Sequence, residues 1–371
     1  MTSSYPANSA DYSGAFIPGF AAALARSGAE VTVLTPDKAG AKEACSTHDV
    51  RWFRWSGASK PLVDFKLGSP SDLASIVSLL RSGTAALRAL IDEKRIEHCL
   101  SLWAVPSGYL AWRACRGRVP YSVWALGSDI HTWARRPLVG SLVRRVLRDA
   151  SHRFADGLAL AEEVRWISGL DCEFMPSTRK LPAPAAINLP ERRVTRFLFV
   201  GRLEPVKGAD VIVDATLALL GRGVDAALTM CGTGSMESEL RRRVETAGAQ
   251  GRIEFLGSRP ADFIAAYMAA SDCLVIPSRM ESIPIVFSEA LQAGIPLLVT
   301  DVGDMGELAR RDGLHPPVPA ADVQALASAM EDFARDLETE RDRYRAARER
   351  LLPVFDLQST ADRFLSVVGA P

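Results

Sequence analysis

Long apolar runs, paired cysteines, histidine clusters and any excess of one charge are all missing from this chain, and each absence removes a class of function. No uninterrupted apolar run reaches the ~20 residues of a membrane-spanning helix. No charged segment followed by an apolar core opens the chain, so no secretion signal is expected. The six cysteines, at 45, 99, 115, 172, 231 and 273, are scattered without a C-x-x-C pair, and the five histidines show no ligand spacing. That argues for reduced thiols in a cytoplasmic protein and against a disulfide framework or a metal site. Lys and Arg balance Asp and Glu at 44 each, and no nucleic-acid partner is expected. The balance is uneven along the chain. Residues 1–185 hold 23 basic against 17 acidic residues, net +6, and the remainder 21 against 27, net −6. The first half is therefore the side to meet an anionic partner.

What is present is enough apolar residue, 48% of 371, for two ordinary domains. Short apolar runs at 31–34, 98–102 and 121–125, then at 197–200, 227–231, 253–256, 273–276 and 297–300, read as strands. Between them, helical patterns run over 15–27, 138–154, 209–221, 235–247 and 284–293. The alternation predicts an α/β fold of two Rossmann-like, doubly wound parallel-sheet domains facing a cleft, with ligands at the carboxyl ends of the strands. The prolines at 176, 182, 184 and 190 mark 175–190 as the linker. The domains are thus expected at 1–185 and 186–350, with 351–371 as a closing segment. Residues 2–6 read as the end of a first strand, so either that strand is short or about five or six residues of it lie upstream.

The chemistry concentrates in the second half. Residues 273–294 read as strand, loop and helix, with Pro284 suited to the first helical turn and Gly294 to the position past the end. Glu289 falls in the middle of an otherwise apolar helix, where a carboxylate needs a partner. Its side chain leans toward the loop bearing Glu281. Two converging carboxylates are good acceptors for sugar hydroxyls; a wetter helix stripe and a plain loop residue remain the other reading. Free N–H groups at Ile285 and Val286 suit an anion such as a diphosphate. In 197–208 a strand ends at Gly201, and Arg202 and Lys207 follow, a planar fork and a point charge for phosphate oxygens, unless both are simply solvated. The turn at Gly232 and Gly234 is a bare G-x-G, weak by itself.

Together these segments resemble the C-terminal domain of glycosyltransferase family 4, of the GT-B fold. The pattern is carried by Gly201-Arg202-Leu203 with Lys207-Gly208, by Gly232 and Gly234, by 252–257, by Glu281 with Glu289, and by Thr300 to Gly303. In the first half, Asp11, Gly14 and Phe16 resemble the family's opening turn, while 103–108 (WAVPSG) and 127–129 (GSD) resemble two further loops. A helix around 360–368 resembles the one that crosses back to the first domain. The resemblance implies a retaining, nucleotide-sugar-dependent glycosyltransferase that uses a UDP-, GDP- or similar sugar and no cofactor. Arg202 and Lys207 then bind the donor diphosphate, Glu289 the ribose and Glu281 the transferred sugar. Gly14 lets the backbone approach the phosphates, and Gly232 completes the site. Arg202, Lys207 and Glu281 are the implied catalytic residues. Family histidines are replaced by Leu100, Leu102 and Leu126, with His98 and His131 out of register, and two family glycines by Ser282 and Asp304.

The helix from Leu138 to Phe154 sets an apolar face of Leu138, Val139, Leu142, Val143, Val146 and Leu147 against Arg144, Arg145, Arg148 and Arg153. It reads either as an ordinary covering helix or as a peripheral contact with anionic lipid. The function expected is transfer of a sugar to a glycan or lipid-linked acceptor in polysaccharide biosynthesis, at the cytoplasmic face. A nucleotide-sugar epimerase or hydrolase of the same fold, and a non-catalytic nucleotide-sugar-binding subunit, are the rivals.

Overall fold

The computed structural model describes residues 1–8, 11, 13–60, 65, 68–187 and 194–369. Contacts divide the chain into two compact units, 1–177 with 357–371, and 178–356. Part of the expected linker, 188–190 with Pro190, lies outside the described residues.

In unit 1, helix α1 (Ile17–Arg26) precedes the parallel pair β1 (Thr32–Pro36) and β2 (Asp49–Phe53). The 25-residue helix α2 (Pro70–Lys94) leads to β3 (Cys99–Leu102) and α3 (Tyr109–Cys115). Then follow β4 (Tyr121–Ala125), α4 (Pro137–Asp149), β5 (His152–Ala155), α5 (Leu158–Ser168) and β6 (Glu173–Phe174). β3 to β6 form one parallel sheet in chain order. Residues 1 and 2 bridge it to β1: the Thr2 N–H donates to the Leu34 carbonyl and the Leu102 N–H to the Met1 carbonyl, both at 3.0 Å. Residues 3–6, expected to continue that strand, form none.

One expectation is qualified and one corrected here. α2 is long and apolar enough, by length and composition, to cross a membrane, although no uninterrupted apolar run marks it. Serines and Arg81 break the run while leaving the average apolar. It lies against α3, β1 and β2, with 28% of its most apolar stretch buried. The helix expected over 138–154 stops at Asp149, and its last residues belong to β5. Phe154 is a buried strand residue, and Arg153 leaves the basic face to donate to the carbonyls of Leu147 (3.1 Å) and Ala150 (2.7 Å). A guanidinium thus satisfies the unpaired carbonyls at the helix end.

Unit 2 begins with β7 (Thr195–Val200) and α6 (Ala209–Gly221), then β8 (Ala226–Cys231), α7 (Glu237–Thr246), β9 (Ile253–Gly257) and α8 (Ala261–Ala270). It continues with β10 (Cys273–Ile276), α9 (Ile285–Ala293), β11 (Leu297–Val299), α10 (Gly303–Asp312), α11 (Val323–Arg335) and α12 (Leu337–Phe355). All five strands are parallel, in the order β11-β10-β7-β8-β9. The order reverses between β7 and β10, which sets a topological switch point at their carboxyl ends. Apolar strand residues such as Phe197, Leu198, Leu274 and Val275 are buried on both faces, as a helix-covered parallel sheet requires.

The unit boundaries differ from the expected ones. Residues 178–185 pack with unit 2: the Leu181 N–H donates to Gln292 (2.8 Å) and the Ala185 N–H to the Asp262 carbonyl (3.0 Å). Residues 351–355 complete α12. The last helix, α13 (Leu357–Val368), belongs to unit 1, where Phe364 packs on Phe20 and Phe154 with ring centroids 6.1 and 5.6 Å apart.

Candidate functional site

The loops after β7, β8, β10 and β11 meet at the switch point of unit 2, and glycines allow the meeting. A side chain on Gly208 (φ +68°) would stand 2.0 Å from the Pro277 carbonyl oxygen, and one on Gly232 (φ +146°) 1.9 Å from that of Gly201. Both close approaches and both positive φ values exclude other residues. Backbone bonds seal the first pair of loops: Gly201 N–H to the Cys231 carbonyl (3.0 Å) and Leu203 N–H to that of Thr233 (2.9 Å). The Glu204 carboxylate adds bonds from the Ser235 N–H (2.9 Å) and hydroxyl (2.6 Å), which hold it below the usual carboxylate range. Arg279 ties the β10 loop to α6 through a bidentate pair with Asp210 (2.7 and 2.6 Å). Burial pushes the Asp210 carboxyl up, but Arg279 together with the backbone N–H groups of Asp210 and Val211 more than offsets this and leaves it lowered.

Of the residues picked from the sequence, this frame gathers all but one. Lys207 donates to Glu281, so a cation from the β7 loop and a carboxylate from the β10 loop form an ion pair across the switch point. Arg202 is exposed on the same loop as Lys207. Glu289 is 2% exposed and receives the Arg179 guanidinium. Arg179 was overlooked, because it stands in a proline-rich stretch read as linker. A carboxylate in the middle of an apolar helix did signal that some partner existed. Gln292 fixes this segment further, donating to the Arg179 carbonyl at 2.8 Å. At the head of α9, Pro284 is the N-cap, one position earlier than expected. The Phe287 N–H is taken by the Pro284 carbonyl (2.9 Å), which leaves Ile285 and Val286 as the donors facing outward from the first turn.

The two departures from the family pattern in this region touch each other. The Ser282 hydroxyl donates to the Asp304 carboxylate at 2.9 Å, and Asp304 is buried. Gly303 (φ +50°) brings the two loops together, since a side chain there would lie 2.0 Å from the Glu281 carbonyl oxygen.

Gly14 lies in unit 1. Its φ is +68°, and a side chain on it would stand 2.8 Å from the Ser4 carbonyl oxygen. The two resembling loops of this unit are pinned by one buried group: the Asp129 carboxylate accepts from the N–H groups of Ala104 (2.6 Å) and Leu126 (3.3 Å). Burial raises its pKa to about 6. Leu102 is buried, and Leu100 and Leu126 are half-buried. His98 is bonded to the Ser122 hydroxyl (2.8 Å) and depressed to about 4 by burial and by His152. His131 pairs with Glu163 (2.9 Å) on α5.

Comparison with known proteins adds the following. The family model for glycosyl transferases group 1 matches residues 186–350, and that for the glycosyl transferase 4-like domain matches 13–173. Glycogen synthase of Mycobacterium tuberculosis is 29% identical over 208 residues, 56% of this chain and 48% of that protein. The lipopolysaccharide core biosynthesis mannosyltransferase LpsB of Rhizobium meliloti is 33% identical over 46% of this chain and 50% of its own length. The chain thus spans about half the length of these two relatives. A GDP-mannose-dependent phosphatidylinositol monomannoside mannosyltransferase of M. tuberculosis is 27% identical over 67% of this chain and 70% of that one. Among solved structures, Anabaena HepE in complex with UDP superposes with a TM-score of 0.71 at 16% identity, covering 99% of this chain and 98% of that one. Sucrose-phosphate synthase of Thermosynechococcus elongatus gives 0.72 at 19% identity, covering 96% and 92%. These likenesses show the GT-B fold.

Proposed function

This chain belongs to the GT-B glycosyltransferases with a group 1 C-terminal domain and a family 4-like N-terminal domain, and we propose that it moves a sugar, with retention, from a nucleotide-diphosphate sugar to a glycan or lipid-linked acceptor. One observation carries the reading. Lys207, Arg202 and the open first turn of α9 supply positive potential around the switch point, and Glu281 and Glu289 supply acceptors beside it.

The residues suggest an order of events. Without ligand, Lys207 is neutralised by Glu281. A diphosphate arriving at Lys207, Arg202 and the N–H groups of Ile285 and Val286 takes over the lysine. The released Glu281 carboxylate then accepts from hydroxyls of the sugar. Glu289 has one oxygen on Arg179 and can accept from a ribose hydroxyl with its other. Gly232 keeps the β8 turn clear. The acceptor oxygen bonds to the anomeric carbon as the bond from that carbon to the phosphate oxygen breaks. The acceptor proton passes to the departing phosphate on the same face. Charge growing on the leaving diphosphate is what the cations stabilise, and positioning supplies the rest. The reaction so written asks for no cofactor of the protein's own. Free thiols at all six cysteines support a reducing, cytoplasmic setting, and the exposed arginines of α4 support a peripheral contact with anionic lipid.

The leucines at 100, 102 and 126 keep a second reading in view: a subunit that binds nucleotide sugar without turnover. A melting-shift panel of UDP, GDP and their sugars, followed by a nucleotide-release assay with and without acceptors, separates the two. A ligand at ~100 times its Kd adds about 2.7 kcal/mol. Binding with no release under any condition would leave the non-catalytic reading, and release without acceptor would favour the epimerase or hydrolase. No shift with any nucleotide removes the donor assignment itself.

A further inference from the structure

Two arginine–carboxylate pairs of unit 2 are built differently. Arg279 sets both terminal nitrogens on the two oxygens of Asp210 (2.7 and 2.6 Å), so the whole fork serves the carboxylate and ties a loop to a helix. Arg179 meets Glu289 through Nε alone, on one carboxylate oxygen. Among the described residues, its two terminal NH₂ groups meet no acceptor. The Arg179 side chain is 27% exposed and that of Glu289 2%, so the pair runs from a buried acceptor to a half-buried donor. A guanidinium that only balanced the charge of Glu289 would use its fork as Arg279 does.

Arg179 is held in this place by its backbone as well as by the ion pair. Gln292 grips the chain on both sides of Lys180: its NH₂ donates to the Arg179 carbonyl (2.8 Å), and its side-chain oxygen accepts from the Leu181 N–H (2.8 Å). The same NH₂ also donates to the Ser288 carbonyl (3.3 Å), which fixes the glutamine on α9. Glu289 and Gln292 are three residues apart and share one face of the helix. A segment bonded to Gln292 at residues 179 and 181 therefore lies along the face that carries Glu289. Ile285, whose N–H opens the helix, stands four residues before Glu289 on that face. At 1.5 Å per residue the pair lies about 6 Å beyond the N–H groups proposed for the diphosphate. In a nucleoside diphosphate, the ribose hydroxyls follow the diphosphate after a few bonds.

We infer that Arg179 is a specificity residue for the ribose: Glu289 accepts from one hydroxyl of the 2′,3′-diol while a terminal NH₂ of Arg179 donates to an oxygen of the same diol. The inference rests on the donor reading above and adds to it a residue that selects ribonucleotides over deoxyribonucleotides. An ionised carboxylate only accepts and a guanidinium only donates, whereas each hydroxyl does both. Glu289 alone answers half of what the diol offers, and the unused donors of Arg179 answer the other half. Removing one hydroxyl from the ligand leaves a member of the pair without its partner, which is how a polar site rejects an analogue that lacks one OH.

The test is calorimetric titration of the full chain with UDP and GDP, and then with the 2′-deoxy and 3′-deoxy forms of whichever binds. The parent is expected to prefer the ribonucleotide about tenfold over at least one deoxy form, the scale of one hydrogen bond to a charged group. Arg179→Met is expected to remove most of that preference. Arg179→Lys is the decisive variant, because it leaves the buried carboxylate with a counter-ion should Arg179→Met not fold. One ammonium cannot stand in for the fork, so the preference is expected to fall about threefold or more in Arg179→Lys. A residue that served only as the counter-ion of Glu289 would keep the full preference when replaced by lysine. That result overturns the inference, as does a parent that binds UDP or GDP and their deoxy forms equally; in both cases the donor reading stands. Failure of the parent to bind either nucleotide removes the donor reading, and this inference with it.

Discussion

After β7, β8 and β10 the loops of unit 2 present charge, held in place by glycines pressed against neighbouring carbonyls. After β3 and β4 the loops of unit 1 present tryptophan and apolar surface, held by the single buried carboxylate of Asp129. Both sets stand at the carboxyl ends of parallel strands, where such sheets bind ligands. The difference separates charge from contact area. A leaving diphosphate calls for cations and amide N–H groups that do not reorganise. Aromatic and branched side chains offer shape and contact area instead.

The largest effect expected on this contrast comes from unit 2. Lys207→Met should lower sugar transfer by roughly 10²–10³ fold, the scale of removing one preorganised electrostatic contact, as read by nucleotide release. A loss of less than about tenfold would move the leaving-group role elsewhere. Next comes Arg179→Ala, which leaves Glu289 buried without its partner. It should cost about 3–5 kcal/mol in urea unfolding, with much of this recovered on adding Glu289→Gln. A third prediction belongs to unit 1 and concerns pH. Asp129 has a folded pKa of about 6 against an ordinary 3.8, so its contribution is full below pH ~4 and is lost as pH rises to about 6. His98, depressed to about 4 from 6.5, acts oppositely: its contribution is lost as pH falls from 6.5 to 4. Relative to the parent, Asp129→Asn should therefore gain stability between pH 4 and 6, on the order of 1–3 kcal/mol. His98→Gln should lose stability relative to the parent over the same rise. Melting curves across that range check both signs. The smallest effect is a coupling: in a double-mutant cycle, Ser282→Gly and Asp304→Gly should interact by about 1–2 kcal/mol, and additivity would show that the two family departures are independent.

The proposed donor end was legible from sequence because its residues are out of place as ordinary structure. A glutamate inside an apolar helix and cations beside a turn glycine ask for an explanation that packing does not give. The parallel sheets and the loops that carry these residues followed from the alternation of short and long periodic segments. Arg179 was hidden, since its partner stands 110 positions away and nothing local announces the pairing. A cavity of unit 1 was hidden for another reason: Leu80, Trp103 and Val139 come from three separate segments of the chain. Only the fold reveals that they line a hollow rather than fill one. The end of α4 was misplaced because Val, Leu and Arg continue a helical pattern into β5, and the break at Ala150 and Ser151 has no proline or glycine to mark it.

The claim on which all of this depends is that the loops at the switch point of unit 2 hold a nucleotide diphosphate. Calorimetric titration of UDP and GDP into the parent chain, Arg202→Ala and Lys207→Ala tests it most directly. The account predicts binding of at least one nucleotide to the parent and a Kd at least tenfold weaker in each variant. Equal affinity in all three proteins would contradict it.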